Sequence, residues 1–387
     1  MDQSKGTNLG DMRFANELLV LNILRREPCS RAQLAKQTGL SRAGVTVIID
    51  DLLHRGTVEE TNESSNDLGR KALTLRVRAD AAFVVGVHLR SEKYCIGLFD
   101  FNGDMLHVLE REYAPAECAA AQLIGVANDI LTVVAEREIE REKVLGIGIC
   151  ISGPVDVAAG KVIRPSSKWH EVEIVSILES VVPWKCLMEN RSNARAMYEK
   201  LYGVCRGFSS FIYFKVDDAV GGSIIYRDKI IGGYNNFGNE FGHMSIRCDG
   251  ERCECGNQGC LDMYASVPAI LAQFPQTGVD TWSALVDHAY DGDAAALQAI
   301  RAEAEYLSTG IVNLCNIFEP QAVVLSGDIT YRPNLLLALI SENVNRRHIL
   351  RNAYNAQILV SDRQDHVNVR AGAAIVIEGF YQGKLMI

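Results

Sequence analysis

The sequence predicts a winged helix-turn-helix head joined to a larger α/β body. Three observations carry that prediction. The first 80 residues follow a helix, glycine turn, helix grammar. The remainder alternates apolar strands with helices. The charge also differs between the parts: residues 1–80 hold 12 Lys/Arg against 11 Asp/Glu, while the whole 387-residue chain has a net charge of −9. An acidic body argues against coating nucleic acid by bulk charge, and a near-neutral head leaves room for a local DNA-binding patch.

The head reads in order. Glu17 to Arg26 carries an apolar stripe at helical spacing, and Pro28 stops it. Ser30 and Gln33 form a capping box that starts a short helix from Arg31 to Thr38. Gly39 supplies the sharp turn, because it accepts positive φ without a Cβ clash. Ser41 caps a second helix, Arg42 to about His54, whose Val45, Ile48, Ile49, Leu52 and Leu53 face inward. In such a motif the second helix enters the major groove. Residues left off its buried face, Ser41, Arg42, Ala43 and Thr46, are the candidate base contacts. Arg31 and Gln33 could reach phosphates. Two wing strands follow, near 56–60 and 71–77, and Arg70 and Lys71 at the wing could reach a neighbouring minor groove. The alternative is a small helical protein-interaction domain with solvated charges.

Beyond residue 80 the pattern changes. Residues 83–89 and 93–100 read as a hairpin, and a helix is expected at about 117–139. Residues 144–154 form a buried strand ending in a Gly-Pro turn. Further strands are expected at 187–190, 211–216, 222–226 and 322–327, with long helices filling about 266–316. Strands interleaved with helices indicate α/β architecture, and the two halves have the look of a duplication. The N-terminus is polar and no run reaches 18 apolar residues, so a cytoplasmic protein with no membrane partner is expected.

Eleven cysteines fall along the chain, most of them isolated among apolar neighbours. Four residues stand apart: His243, Cys253, Cys255 and Cys260. One imidazole and three thiols at this spacing can close a tetrahedral shell around a structural zinc ion. Incidental cysteines and redox chemistry are the alternatives. Glu240 and Asp262 flank the cluster, so a metal that locks a loop would sit beside groups suited to a polar ligand.

Several segments together resemble the ROK family (repressor, open reading frame, kinase), specifically its repressor branch. They are 29–41 and 68–70 in the head, and 146–155, 189–190, 239–243, the three-Cys segment and 372–374 in the body. The resemblance implies an actin-like body of the sugar kinase and ribonuclease H type, with two lobes around a cleft. The expected division is a head at 1–80, a first lobe at 81–190 completed by a C-terminal helix at 372–387, and a second lobe at 191–371 carrying the zinc loop. By motif match, Asn190, Glu240 and His243 take sugar-contacting positions, and Gly153 shapes the pocket floor. Asp262 stands where the family usually has Glu.

Departures from the family pattern point away from phosphoryl transfer. His88 replaces an acidic residue in the first phosphate loop, whose glycines are gone, and Glu92 would repel phosphate. Asp217 and Asp218 replace glycine and threonine in the second loop. Arg191 follows Asn190 where the kinases carry the aspartate base, and a guanidinium cannot accept a proton near neutral pH. Arg191 would suit a phosphate or carboxylate on the ligand, or a neighbouring carboxylate of the chain. The expected function is therefore a sugar-responsive regulator without enzyme activity. It would bind operator DNA as a homodimer or homotetramer and take a sugar or sugar phosphate as effector. A sugar kinase with a DNA-binding head and a ligand-independent DNA-binding protein are the competing readings.

Overall fold

The structure, a computed structural model, describes residues 9–61, 73–115, 118–163, 169, 171–233, 238–347, 349 and 356–385. The chain divides into two compact units. One comprises Met1–Ser152, Ala158–Glu189 and Asn368–Ile387; the other comprises Gly153–Val157 and Asn190–Val367. The head belongs to the first unit with the α/β layer that follows it.

The head contains α1 (Leu9–Leu24), α2 (Arg31–Thr38) and α3 (Arg42–His54), then β1 (Val58–Thr61) and β2 (Thr74–Val77). The capping box forms: Ser30 N donates to Gln33 Oε1 at 2.8 Å, and Gln33 N donates to Ser30 Oγ at 3.4 Å. Gly39 ends α2 at φ 74°. Ser41 Oγ accepts from Gly44 N at 3.0 Å and starts α3, which buries Val45, Ile48, Ile49 and Leu52. The antiparallel wing pairs Val58 with Val77 through to Thr61 with Thr74. Leu75 also exchanges two backbone hydrogen bonds with Cys29, tying the wing to the segment before α2. Three details depart from the sequence reading: α1 begins at Leu9 rather than near Glu17, Leu53 is half-buried rather than inward, and the wing strands start at Val58 and Thr74 rather than near 56 and 71.

The first α/β layer is built from β3 (Phe83–Leu89), β4 (Lys93–Asp100), β5 (Met105–Glu112), α4 (Ala119–Glu136), β6 (Val144–Ile151), the short β7 (Val155–Asp156) and β8 (Lys161–Val162), α5 (Ile174–Glu179) and β9 (Cys186–Asn190). Its sheet runs β5-β4-β3-β6-β9. The edge strand β5 escapes the sequence reading because its residues are half-buried or exposed rather than continuously apolar. Helix α4 is long and apolar enough on average to cross a membrane by length and composition alone, although Gln122, Asn128, Asp129 and Glu136 interrupt it. In this fold Leu123, Val126, Ala127, Ile130, Val133 and Val134 are buried, the stripe of an amphipathic helix on a sheet.

The second unit holds α6 (Arg191–Leu201), β10 (Phe211–Val216), β11 (Val220–Tyr226), β12 (Lys229–Ile231), α7 (Asp262–Ala265), α8 (Val267–Gln273), α9 (Trp282–Tyr290), α10 (Ala294–Phe318), β13 (Ala322–Gly327), α11 (Asn334–Arg347) and β14 (Gln357–Val360). Its sheet order is β12-β11-β10-β13-β14. Numbered within each unit, both sheets read 3-2-1-4-5. The duplication suspected from sequence is thus a repeated topology. β10, β13 and β14 are parallel, so their C-terminal ends open on one edge.

Helix α12 (Val367–Tyr381) returns the chain to the first unit. It begins five residues before the expected position and lies against glycines. A Cβ on Gly148 would stand 1.8 Å from Gly372 O, and one on Gly86 would stand 2.1 Å from Val369 O. Beyond that contact α12 meets α1. Arg25 Nη1 pairs with Glu378 at 2.9 Å, both side chains being at most 14% exposed. The Arg25 guanidinium lies 4.3 Å over the Tyr381 ring, and Asn22 Nδ2 donates to Tyr381 O at 3.1 Å. Removing one partner of a buried pair costs about 3–5 kcal/mol, so this contact can hold the head on its mount.

One core residue runs against the rest. Glu303, inside α10, is fully buried with no hydrogen-bond partner for either oxygen among the described residues. Burial drives its carboxyl well above the usual value, so it folds as the neutral acid. The unfolded chain ionises it above about pH 4.3, whereas the folded chain resists ionisation; Glu303 therefore withdraws stability as pH rises from there toward its folded pKa. E303M should stabilise the protein by on the order of 1–3 kcal/mol at pH 7. Thermal melts from pH 5 to 8 should show the gain growing with pH; a constant or absent gain would refute the neutral buried acid.

Candidate functional site

Four of the six expected ligand residues belong to a hub around Val220 to Gly222, at the start of β11. Asn190 caps α6, its Oδ1 accepting from Asn193 N at 2.9 Å. Asn193 is buried, and its Oδ1 accepts from Ser223 Oγ at 2.7 Å, which fixes α6 on β11. Asp262 Oδ1 accepts from Val220 N at 2.6 Å. The turn carrying Glu240 and His243 packs so tightly on β11 that a Cβ on Gly242 would stand 2.5 Å from Val220 O. Phe241 likewise fills the space beside Gly222, where a Cβ would lie 2.0 Å from its ring. The first turn of α6, the 240–243 turn and the start of α7 are therefore held on one strand.

This arrangement alters the expected roles. One oxygen of Asn190 and one of Asp262 already brace backbone amides, so the hub itself uses part of their hydrogen-bonding capacity. Glu240 is exposed; desolvation raises its carboxyl pKa, and His243 opposes that shift. Arg191, the first residue of α6, is half-buried and makes no ion pair among the described residues. It lowers the pKa of buried Lys215, second in size to the effect of burial. Gly153 adopts φ 98° at the turn after β6, and the hub contacts do not involve it.

His243, Cys253, Cys255 and Cys260 come together, with one donor atom from each within 4.8 Å of the others. His243 Nδ1 is 3.6 Å from Cys253 Sγ, and Cys255 Sγ is 3.6 Å from Cys260 Sγ. A tetrahedral zinc with bonds of about 2.3 Å to sulfur and about 2.0 Å to nitrogen would set these edges near 3.6–3.8 Å. The donor set therefore fits zinc in chemistry and size. Burial and the neighbouring thiols push Cys260 up to about 12, whereas hydrogen bonding, led by the Asn257 amide, lowers Cys255. Thiolates so close repel one another unless a cation lies among them. Nδ1 faces the cysteines, which leaves Nε2 for another partner.

On the head, Ser41, Arg42, Ala43 and Thr46 are all exposed on the first turns of α3. Val47 is 61% exposed on the same helix, and the sequence reading omitted it. A large apolar residue left in water beside four polar or small ones suits contact with a thymine methyl. Arg31 is engaged within the head, 2.7 Å from Asp50 and 3.9 Å from Glu60. Gln33 spends its carbonyl oxygen on the capping box. Both could still approach a phosphate only through their remaining donors. Arg70 and Lys71 lie outside the described residues.

Residues 84–379 match the ROK family model. The chain belongs to the ROK family. It is similar to the xylose repressor of Caldicellulosiruptor bescii, 30% identical over 386 residues that cover 95% of this chain and 96% of the relative. The xylose repressor of Bacillus spizizenii is 28% identical over 383 residues, covering 96% and 98%. The Escherichia coli transcriptional dual regulator NagC is 27% identical over 373 residues, covering 93% and 91%. Among solved structures, a ROK transcriptional regulator described as a homolog of the E. coli MLC protein superposes with TM-score 0.82 at 22% identity, covering 96% of this chain and 97% of that one. A ROK hexokinase from Thermus thermophilus superposes with TM-score 0.69 at 24% identity, covering 78% of this chain and all of its own. The expected fold class therefore stands: a winged helix-turn-helix followed by a two-lobed α/β body of sugar-kinase type. The regulator spans head and body, whereas the whole hexokinase matches only about the share of this ROK chain that the family model occupies.

Proposed function

We propose that this ROK protein is a sugar-responsive transcriptional regulator, and that its kinase-like body senses rather than catalyses. The observation that carries the reading is the head. Its two capped helices leave Arg42, Ala43, Thr46 and Val47 exposed, and α1 is bound to α12 through Arg25, Glu378 and Tyr381. Relatives named as repressors of xylose and N-acetylglucosamine genes support it over nearly the whole length. Half-sites on one DNA face require two heads at a fixed spacing, so the active form is a homodimer or homotetramer working on operator DNA in the cytoplasm. Arg42→Ala should weaken operator binding at least about tenfold in an anisotropy titration, since a bidentate base contact is worth roughly 1–3 kcal/mol. Unchanged affinity and sequence preference would remove α3 as the reading helix.

The sugar is held at the hub by Asn190, Glu240, His243 and Asp262, with Gly153 shaping the pocket floor. A carboxylate can accept from two hydroxyls at once, and His243 offers Nε2 to the ligand while Nδ1 faces the metal. Zinc bound by His243, Cys253, Cys255 and Cys260 fixes the 240–243 turn on β11; its contribution is structural. His243→Ala and Cys255→Ser should each lose the zinc, about one ion per chain by metal analysis, together with sugar response. Full zinc content in both variants would overturn the assigned ligands.

No phosphoryl transfer is expected, because Arg191 stays protonated where the related kinases place a base. A coupled assay that detected sugar-dependent ATP consumption would favour the kinase reading. Arg191 also suggests a sharper effector class. Having no ion pair among the described residues, it is suited to a phosphate or acidic group on the sugar. Calorimetry should compare xylose, N-acetylglucosamine and N-acetylglucosamine 6-phosphate on wild type and Arg191→Ala. Tighter binding of the phosphate by wild type, lost in the variant, is expected. Preference for the neutral sugar that survives Arg191→Ala would exclude an anionic effector.

A further inference from the structure

The second unit contains a recess of about 420 Å3 that the sugar hub does not use. It opens at the C-terminal ends of β10, β13 and β14, the edge of a parallel sheet where ligands commonly bind. Arg195, Arg363, Asp217, Asp328, Asp362 and Asp365 are among the residues that line it. Four carboxylates against two guanidinium groups make a poor receptor for an anion. One corner, however, is built like an anion site. Lys215 is only 2% exposed, an ammonium held deep in the sheet. Arg195 is anchored beside it, Nη1 lying 3.3 Å from Tyr213 Oη, and Tyr213 in turn donates to Ser326 Oγ at 2.8 Å. The backbone amide of Asp328 points into the same corner.

The chain fills that corner itself. Asp217 Oδ2 is 2.6 Å from Lys215 Nζ, and Asp217 Oδ1 accepts from Asp328 N at 3.0 Å. Gly327 makes the fit possible: a Cβ there would stand 2.1 Å from Asp217 Oδ1 and 2.3 Å from Val216 O. Its φ of 93° also belongs to glycine. Burial alone would raise the Asp217 carboxyl; Lys215 and then Arg195 and Arg191 outweigh burial and hold it below the usual carboxylate value. Asp217 is thus an ionised carboxylate with a cation and a backbone donor on its two oxygens.

We propose that Asp217 is a built-in anion that occupies this corner and closes the recess to phosphate-bearing ligands, nucleotides included. Without it, cellular phosphates would meet Lys215 and Arg195 uncompensated at this corner. The carboxylate satisfies Lys215 internally and presents negative charge to anything that follows. Asp217 is then a specificity-determining residue, acting by exclusion. The inference concerns the body alone and stands whether or not the head binds DNA.

The test is isothermal calorimetry with inorganic pyrophosphate and with ATP on full-length wild type, Asp217→Asn and Asp217→Gly. Wild type should bind either ligand only weakly. Both variants should bind pyrophosphate at least about tenfold more tightly, the scale of one charge-assisted contact. Lys215→Met in the Asp217→Asn background should abolish the gain. Wild-type binding equal to that of the variants would overturn the proposal. So would two folded variants, judged by thermal melt and circular dichroism, that take up neither ligand. Failure of both variants to fold would also overturn it, making Asp217–Lys215 a purely structural pair.

Discussion

The head depends on a place where two glycines meet. Gly148 of β6 and Gly372 of α12 approach so closely that a Cβ on either would overlap the other's carbonyl oxygen, at 1.8 Å and 2.5 Å. Gly86 of β3 extends the same contact toward Val369. With a Cβ at Gly148, α12 would have to move off the sheet by about 1.5 Å to restore ordinary contact. The contact sets the height at which Glu378 and Tyr381 emerge, and these residues receive Arg25 of α1. A backbone-to-backbone contact is stiff because it contains no rotamer to relax. The winged helix-turn-helix head is therefore referenced to the first unit's sheet through a backbone contact as well as through side-chain packing.

The second unit uses the same device on a smaller scale. Gly222 accepts Phe241 and Gly242 accepts Val220, so the loop that carries His243 lies flat on β11. Asp262 then closes the other side by taking the Val220 amide. Candidate metal ligands and candidate sugar-contacting residues share this loop, so the cluster and the hub cannot move independently. The repeated 3-2-1-4-5 sheet order gives each unit one such close-packed face, with α12 serving the first and the 240–243 turn serving the second.

Local rules were legible in the sequence where neighbours in the chain are also neighbours in space. Ser30 with Gln33, Gly39, and Ser41 ahead of Arg42 give the helix boundaries of α2 and α3 as they are found. The four-residue metal cluster was legible because its donors fall within 18 residues of one another. Contacts between distant segments carried no such signal. Arg25 and Glu378 are 353 residues apart, and Asp217 and Asp328 are 111 apart. Glu303 reads as one more polar residue on a helix until the helix is seen to be buried on that side. Val47 was passed over because an apolar residue in an amphipathic helix is ordinarily assigned to the core, and only the fold leaves it in water.

Arg191 and Asp217 make physical sense as a pair. An arginine placed beside Lys215 raises the local positive charge, which desolvates poorly and lowers the lysine's pKa. A carboxylate at 217 is the nearest counter-charge, and its own ionisation is favoured by Lys215, Arg195 and Arg191 together. Without Asp217, the corner shared by Lys215, Arg195 and Arg191 would lack its own counter-charge, even though Asp328, Asp362 and Asp365 line the rest of the recess. Asp217 neutralises that corner from within while a guanidinium remains at the start of α6. The negative charge that a bound anion would bring is in this sense carried by the chain itself, with Asp217 set between Lys215 and the Asp328 amide.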